Sequence, residues 1–130
     1  MSRWFLLLCA AVYAGFGAWV LASPATGLAY MSVSLDHVNA LSELRGTHGG
    51  INVLVGLFLV YAAVNPAWHR AGLGLVALLN GGYVLGRLVA FAADGVPGRA
   101  ILLAWAFELL LVLAALALRA REPRAGSTRG

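Results

Sequence analysis

Four long apolar runs constrain this sequence more than any other feature. A helix of about 20 apolar residues is long enough to cross the hydrocarbon core of a bilayer. Only 11% of the residues are charged, against about 25% in an ordinary soluble domain. Proline and glycine residues separate the runs and break the helices there. The sequence therefore predicts an all-α fold, a bundle of four transmembrane helices with spans at residues 4–22, 42–64, 71–92 and 99–118.

Two polar segments flank these spans. Residues 28–41 are too polar to cross a membrane, so we expect a short interfacial lead-in to the second helix, with Ser34 or Asp36 as its N-cap. Residues 119–130 are basic and cannot pack a core, which is typical of a disordered tail. One transmembrane domain, residues 1–118, followed by this tail is the predicted organisation. A cleaved signal peptide is the alternative for the first run, which exceeds the usual apolar region of about 7–15 residues.

The charges indicate an orientation in the membrane. With four spans both termini lie on one side, together with Arg3, Arg70 and the arginines of residues 119–129. The opposite side carries a nearly balanced set of charges. Because Lys and Arg are enriched in cytoplasmic segments, we expect both termini in the cytoplasm. The arginines form no patch interleaved with aromatic residues, so we expect membrane lipid around the chain and no nucleic-acid partner.

Polar and ionisable side chains lie inside three of the spans, where such groups are costly and usually functional. At about 100° per residue, the polar residues of each span fall on one face, so three helices each present one polar stripe. The candidate ligand-binding residues are Arg45, His48, Asn52, Tyr83, Arg87, Trp105 and Glu108, with Glu43, Asn80 and Asp94 as structural polar groups.

Two of these charged residues lie at similar predicted depths in the membrane. With a rise of about 1.5 Å per residue, Arg87 lies roughly 7–10 Å and Glu108 about 13 Å below the outer surface. A lone charge at that depth is unfavourable by on the order of 2–3 kcal/mol. We therefore predict an Arg87–Glu108 ion pair and, nearer the surface, a pair between Arg45 and either Asp94 or Glu43.

The polar cluster is compatible with several functions. It can fix helix register, with Asn52 and Asn80 as interhelical hydrogen-bonding groups. It can line an outer-side pocket between the second, third and fourth helices that binds a small amphipathic ligand, namely a lipid, quinone or isoprenoid; this is the hypothesis we adopt. It can serve proton transfer on a lipophilic substrate, with His48 or Glu108 as the base. No nucleophile or cofactor motif accompanies the cluster, which disfavours an enzyme.

Small residues favour a further alternative, a non-catalytic accessory or structural subunit of a larger membrane complex, or a homo-oligomer. Gly82 and Gly86 have the four-residue spacing that lets helices approach closely in membranes. Packing within the chain is the expected use of this pair, and dimerisation is the alternative.

The sequence predicts neither a metal site nor a cofactor. His37 and His48 are eleven residues apart, and we expect His69 on the opposite side of the membrane. Cys9 is the only cysteine, which rules out an intrachain disulfide and a cysteine-rich metal site.

A set of charged and glycine residues carries a family resemblance: Glu43-x-Arg45, Gly49-Gly50, Gly56, Gly86-Arg87, Asp94-Gly95 and Glu108. Over residues 4–118 the chain resembles a family of small bacterial membrane proteins with four spans, which is described as a domain of unknown function and is similar to the wider DoxX-like group. The resemblance implies the four-helix fold, a bacterial cytoplasmic membrane, and a family motif that includes Glu43, Arg45, Arg87 and Glu108. It implies no activity.

Overall fold

The computed structural model describes residues 1–29 and 35–123, and these residues form helices joined by short connections, with no strand. The elements are α1 (Ser2–Ala22), α2 (Pro24–Gly27), α3 (Val38–Leu44), a π-helical segment (Arg45–Gly50), α4 (Ile51–Val64), a 3-10 turn (Pro66–Trp68), α5 (His69–Ala93) and α6 (Arg99–Arg121).

Within the described residues, four helical stretches are long and apolar enough to cross a membrane. They are Ser2–Ala22, Val38–Val64, Pro66–Ala93 and Arg99–Arg121. The second of them runs through α3, the π segment and α4 without a break. The predicted all-α fold with four transmembrane helices is confirmed, and the chain is a membrane protein.

The second spanning stretch begins with an imidazole cap. His37 is the N-cap of α3, and its Nδ1 accepts a hydrogen bond from the backbone N–H of Asn39 at 3.1 Å. Asp36, one of the two predicted caps, therefore does not cap the helix, and Ser34 lies outside the described residues. An imidazole nitrogen serves here because an N-cap needs only an acceptor close to the second or third amide of the helix.

Helix α6 continues past its predicted end at residue 118 because α5 holds its last turn. Arg70 Nη1 donates hydrogen bonds to the carbonyl oxygens of Arg119 and Glu122, both at 2.8 Å, and Arg119 Nε donates to the Arg70 carbonyl at 3.2 Å. These bonds supply partners to carbonyl groups at a helix end, which have none within the helix. Residues 119–121 are thus helical, and the remainder of the predicted tail from residue 124 lies outside the described residues.

Two helix pairs make up the bundle, α1 with α4 and α5 with α6. Between α1 and α4 the backbones approach very closely. A Cβ atom on Gly17 would lie 2.7 Å from the Gly49 carbonyl oxygen, and one on Gly56 would lie 2.7 Å from Ala14 Cβ. In lipid there is no hydrophobic drive between helices, so association depends on such close packing of small residues.

The two pairs meet in the half of the bundle that holds the start of α1 and the end of α6, here called the terminal half. In the opposite half, here called the far half, they separate: in α5 no residue after Asn80 is buried, and in α6 no residue before Ala115 is. The buried side chains of the terminal half include Leu6, Leu59, Leu73, Val76 and Ala115.

Large apolar side chains cover the outward-facing surface of every long helix, among them Leu8, Leu54, Leu78 and Leu103. In water such a surface would expose apolar patches far larger than soluble monomers carry, whereas it suits hydrocarbon. Gly82 and Gly86 also face outward, since both are exposed and a Cβ atom on either would meet no heavy atom of the described residues within 4 Å beyond the neighbouring backbone of α5. The expectation that this pair packs within the chain is therefore wrong.

We predict that Gly17→Ala destabilises the bundle, because the new methyl group meets backbone atoms of Gly49 and Val53 at 2.7 Å. Overpacking of this kind typically costs about 1–3 kcal/mol. Gly15→Ala is the matched control on the same helix, since its methyl group meets nothing within 4 Å in the described chain. Unfolding in bicelles measures both, and equal stabilities would contradict the close α1–α4 contact.

Candidate functional site

A cavity of about 210 Å³ opens in the far half, between the α1–α4 pair and the α5–α6 pair. All four spanning stretches contribute to its wall. Five of the seven predicted ligand-binding residues line it, together with one predicted structural residue. These polar residues are His48, Asn52, Tyr83, Arg87 and Glu108, with Asn80, and the other lining residues are Val12, Tyr13, Phe16, Phe107 and Leu111.

An ion pair between α5 and α6 forms one wall of the cavity. Arg87 Nε donates to Glu108 Oε2 and Arg87 Nη2 donates to Glu108 Oε1, both at 2.8 Å. The side chains are only 20% and 13% exposed. This bidentate geometry is the strongest form of an arginine–carboxylate contact. The predicted Arg87–Glu108 pair is confirmed.

A second polar link joins the two helix pairs beneath the cavity. Asn80 of α5, which is 3% exposed, donates from Nδ2 to the hydroxyl oxygen of Tyr13 at 2.9 Å and to the carbonyl of Val76 at 2.8 Å. Sequence reasoning missed Tyr13, because it treated the first run as uniformly apolar. The available signal was a phenol hydroxyl in mid-span, which needs a hydrogen-bonding partner when it is buried.

The π segment places His48 at the cavity. The hydroxyl of Thr47 donates to the Glu43 carbonyl at 2.8 Å and lies 2.9 Å from His48 Nδ1. Asn52 Nδ2 donates to the His48 carbonyl at 2.8 Å. These side chains give partners to backbone carbonyls where the wider π turn departs from the ordinary helical pattern. Short π turns inside α-helices occur frequently at functional sites.

The cavity has a polar floor and an apolar mouth. Asn52 and Asn80 are 5% and 3% exposed, whereas Val12 of α1, Phe107 of α6 and Tyr83 of α5 are 43%, 48% and 40% exposed. The exposed mouth is therefore formed by side chains of α1, α5 and α6, and those of Val12 and Phe107 are apolar. In a bilayer this position opens the cavity sideways to lipid.

Arg45 lies outside the cavity. Its Nε donates to the carbonyl oxygen of Leu21 at 3.2 Å. The predicted pair with Asp94 or Glu43 is wrong, since within the described residues neither carboxylate lies within ion-pair distance of Arg45. Leu21 is in the last turn of α1, where carbonyl groups lack helical partners, so a backbone acceptor takes the place that we expected a carboxylate to fill. Glu43 contributes its backbone carbonyl to the site, and its side chain is exposed.

Trp105 and Asp94 also lie apart from the cavity. The ring of Trp105 packs edge-on against Phe91 of α5, with centroids 5.8 Å apart, and its buried Nε1 has no hydrogen-bonding partner among the described residues. Asp94, at the end of α5, lines a second hollow of about 250 Å³ together with Arg87 and Phe91. Trp105 thus packs between two helices.

No three histidine, cysteine or acidic side chains of the described chain come together in a way that could hold a metal ion. The single cysteine, Cys9, is a buried thiol in α1. The polar chemistry of the cavity therefore consists of the ion pair, two phenol hydroxyls, two amides and one imidazole.

A family model, described as a domain of unknown function (DUF4345), matches residues 1–119. The chain belongs to this family. The match covers three spanning stretches in full, the fourth up to residue 119, and every residue of the cavity, and it confirms the expected membership of a family of unknown function. No curated protein and no solved structure matches the chain.

We predict that Arg87→Gln and Glu108→Gln each lower the free energy of unfolding by about 2–3 kcal/mol, since each removes one partner of a bidentate ion pair within the membrane. The double variant should recover part of this loss because no charge remains. Unfolding titrations in bicelles, arranged as a double-mutant cycle, measure the coupling between the two side chains.

Glu43→Gln is the control for the loss of a carboxylate. Its exposed side chain makes no ion pair among the described residues, so its effect should stay within about 0.5 kcal/mol. Strictly additive losses in the Arg87–Glu108 cycle would contradict a stabilising pair.

Proposed function

We propose that this membrane protein binds a small amphipathic ligand in the cavity of the far half. One observation carries the proposal: the cavity joins a buried polar floor to an exposed mouth at which Val12 and Phe107 present apolar surface. A concave, mostly apolar site with a few convergent polar groups is the usual form of a small-molecule site. The ligand's polar head would sit on the floor, and its apolar part would leave through the mouth into lipid.

The size and depth of the cavity narrow the ligand class. Its volume of about 210 Å³ is below the range of about 300–1,000 Å³ that holds a whole drug-sized molecule, so it suits a head group alone. Arg87 precedes the end of α5 by six residues and Glu108 follows the start of α6 by nine. These intervals place both side chains about 9–13 Å from the far end of the bundle. A quinone or isoprenoid head can reside at that depth, whereas a phospholipid head group stays at the interface.

The orientation belongs to the same proposal. Arg3, Arg70, Arg119 and Arg121 belong to the terminal half, and the enrichment of Arg on the cytoplasmic side supports cytoplasmic termini. The cavity would then open in the outer half of a bacterial cytoplasmic membrane. We also propose that the chain is related to the DoxX-like membrane proteins, on the basis of the charged and glycine motifs described in the sequence analysis.

The outward-facing glycines of α5 favour a second candidate function, that of an accessory subunit packed against another membrane protein or a second copy. Gly82 and Gly86 form a strip one helical turn apart, and beyond the neighbouring backbone of α5 no described atom lies within 4 Å of a Cβ position on either. Small residues at this spacing allow a partner helix to approach closely. Neither glycine lines the cavity, so the two functions are compatible.

Blocking the mouth tests the ligand proposal. Val12→Trp places an indole at the mouth, and Leu8→Trp, about one turn earlier on α1, adds the same group at an exposed position outside the cavity. We expect a short-chain quinone or a prenyl alcohol to raise the melting temperature of the wild-type protein and the Leu8→Trp variant in nanodiscs. The affinity of the Val12→Trp variant should be at least about tenfold weaker, because a filled mouth excludes the head group.

Two results would defeat the proposal. One is a panel of quinones, prenyl alcohols and phospholipids that leaves the wild-type melting temperature unchanged, with no co-purifying molecule in native mass spectra. The other is equal ligand affinity of the Val12→Trp and Leu8→Trp variants, which would place the ligand elsewhere.

Bulky substitution of the glycine strip tests the accessory-subunit candidate. Gly82→Leu should abolish cross-linking of the protein to its partner in native membranes, because the leucine holds the partner backbone away. Gly15→Leu, at an equally open glycine of α1, should leave cross-linking intact. A single uncross-linked species in the wild-type protein would rule this candidate out.

A further inference from the structure

A short chain of hydrogen bonds in the π segment determines which nitrogen of His48 carries a proton. The Thr47 hydroxyl has one hydrogen, and it is donated to the Glu43 carbonyl at 2.8 Å. The contact of 2.9 Å between the same hydroxyl oxygen and His48 Nδ1 then requires His48 to be the donor. From this network we assign the proton of neutral His48 to Nδ1.

This assignment leaves the other nitrogen of neutral His48 as an acceptor. A neutral imidazole carries one N–H and one bare nitrogen, so Nε2 has the lone pair. His48 lines the cavity, and no polar group of the described chain bonds to its Nε2. Nε2 of His48 is thus a hydrogen-bond acceptor at the cavity with no donor among the described residues.

Tyr13 presents the complementary group from α1. Asn80 Nδ2 has two hydrogens, and it donates them to the Tyr13 hydroxyl oxygen at 2.9 Å and to the Val76 carbonyl at 2.8 Å. The Tyr13 oxygen is therefore an acceptor in that bond, and its own hydrogen meets no acceptor within the described residues. Because Tyr13 also lines the cavity, this hydroxyl is a donor available to a bound molecule.

We propose that the head group bound in the cavity carries a hydroxyl. The hydroxyl hydrogen would be donated to His48 Nε2, and the hydroxyl oxygen would accept from Tyr13. Alcohols, phenols and quinols provide both functions on one atom, whereas a carbonyl or an ether only accepts and leaves His48 Nε2 unpaired. This inference rests on the proposed ligand-binding function and narrows it to hydroxyl-bearing amphiphiles.

Thr47 acts in this scheme as a positioning residue for specificity. Its hydroxyl holds the imidazole in the tautomer that accepts at Nε2, without being part of the cavity lining. Removing the hydroxyl should lessen the discrimination between a donor ligand and an acceptor-only ligand. A purely structural role would instead weaken both ligands by the same factor.

Matched ligand pairs test the proposal on the full-length protein in nanodiscs. One pair is a long-chain alkylphenol and its methyl ether, and the other is a prenyl alcohol and its methyl ether. Each ether retains the acceptor oxygen and loses the donor. We expect the hydroxyl compound of at least one pair to bind about tenfold more tightly than its ether, since an unpaired polar group is disfavoured when buried. If the alkylphenol pair shows this ratio, the ligand is quinol-like. If the prenyl alcohol pair shows it, the ligand is an alcohol.

Variants test whether the difference in affinity between the hydroxyl compound and its ether arises from the hydrogen bonds of Thr47 and His48. Thr47→Ser retains a hydroxyl and should retain the tenfold ratio, whereas Thr47→Val should reduce it to about threefold or less. His48→Phe keeps an aromatic ring without an acceptor, and the hydroxyl compound should then bind no better than its ether. If the hydroxyl compound still bound about tenfold more tightly than its ether in His48→Phe, the proposal would be overturned, because a group other than His48 would accept the hydroxyl hydrogen.

The remaining outcomes separate this inference from the function on which it rests. Equal affinities for hydroxyl and ether, both abolished by Val12→Trp and retained by Leu8→Trp, would overturn the hydroxyl assignment and leave ligand binding in the cavity standing. If none of these compounds, and no quinone, bound saturably, both the inference and the proposed function would be refuted.

Discussion

The contact on which the rest of this structure depends is the backbone approach of α1 to α4. Lipid does not drive apolar helices together, so the pair needs Gly17, Gly49 and Gly56 where larger residues would separate the helices. The same contact positions the cavity, because Gly49 and Asn52 belong to the helical stretch that carries His48. The close helix contact and the cavity lining thus depend on neighbouring residues of one helical stretch.

The two halves of the bundle differ in the contacts that they contain. In the terminal half apolar side chains from all four spanning stretches form a core, and Arg70 ties the end of α6 to the start of α5. In the far half the α5–α6 pair diverges from α1 and α4, and one ion pair and the amide bonds of Asn80 connect polar groups there. Buried polar groups in a membrane need such partners, and Arg87, Glu108 and Asn80 have them while still bordering the cavity.

Helix count and the main polar contact were predictable from the sequence. Span length sets the first, and the unfavourable energy of a lone charge in hydrocarbon sets the second, since Arg87 and Glu108 had only each other at similar depth. Arg45 was not predictable in this way, because its partner is a backbone carbonyl, and every residue offers one. Tyr13 and the outward direction of Gly82 depend on how neighbouring helices pack, which residue spacing within a single helix cannot supply.

The π segment has a consequence for comparing this chain with its relatives. A π turn holds one residue more than the α-helix on either side of it, so Arg45–Gly50 amounts to a single-residue insertion accommodated within a continuous helix. A relative lacking that residue would keep α3 and α4 but rotate everything before the turn by about 100°. Alignments across the family should therefore permit a one-residue gap in this glycine-rich stretch, since forcing it closed would match His48 to a position on another face.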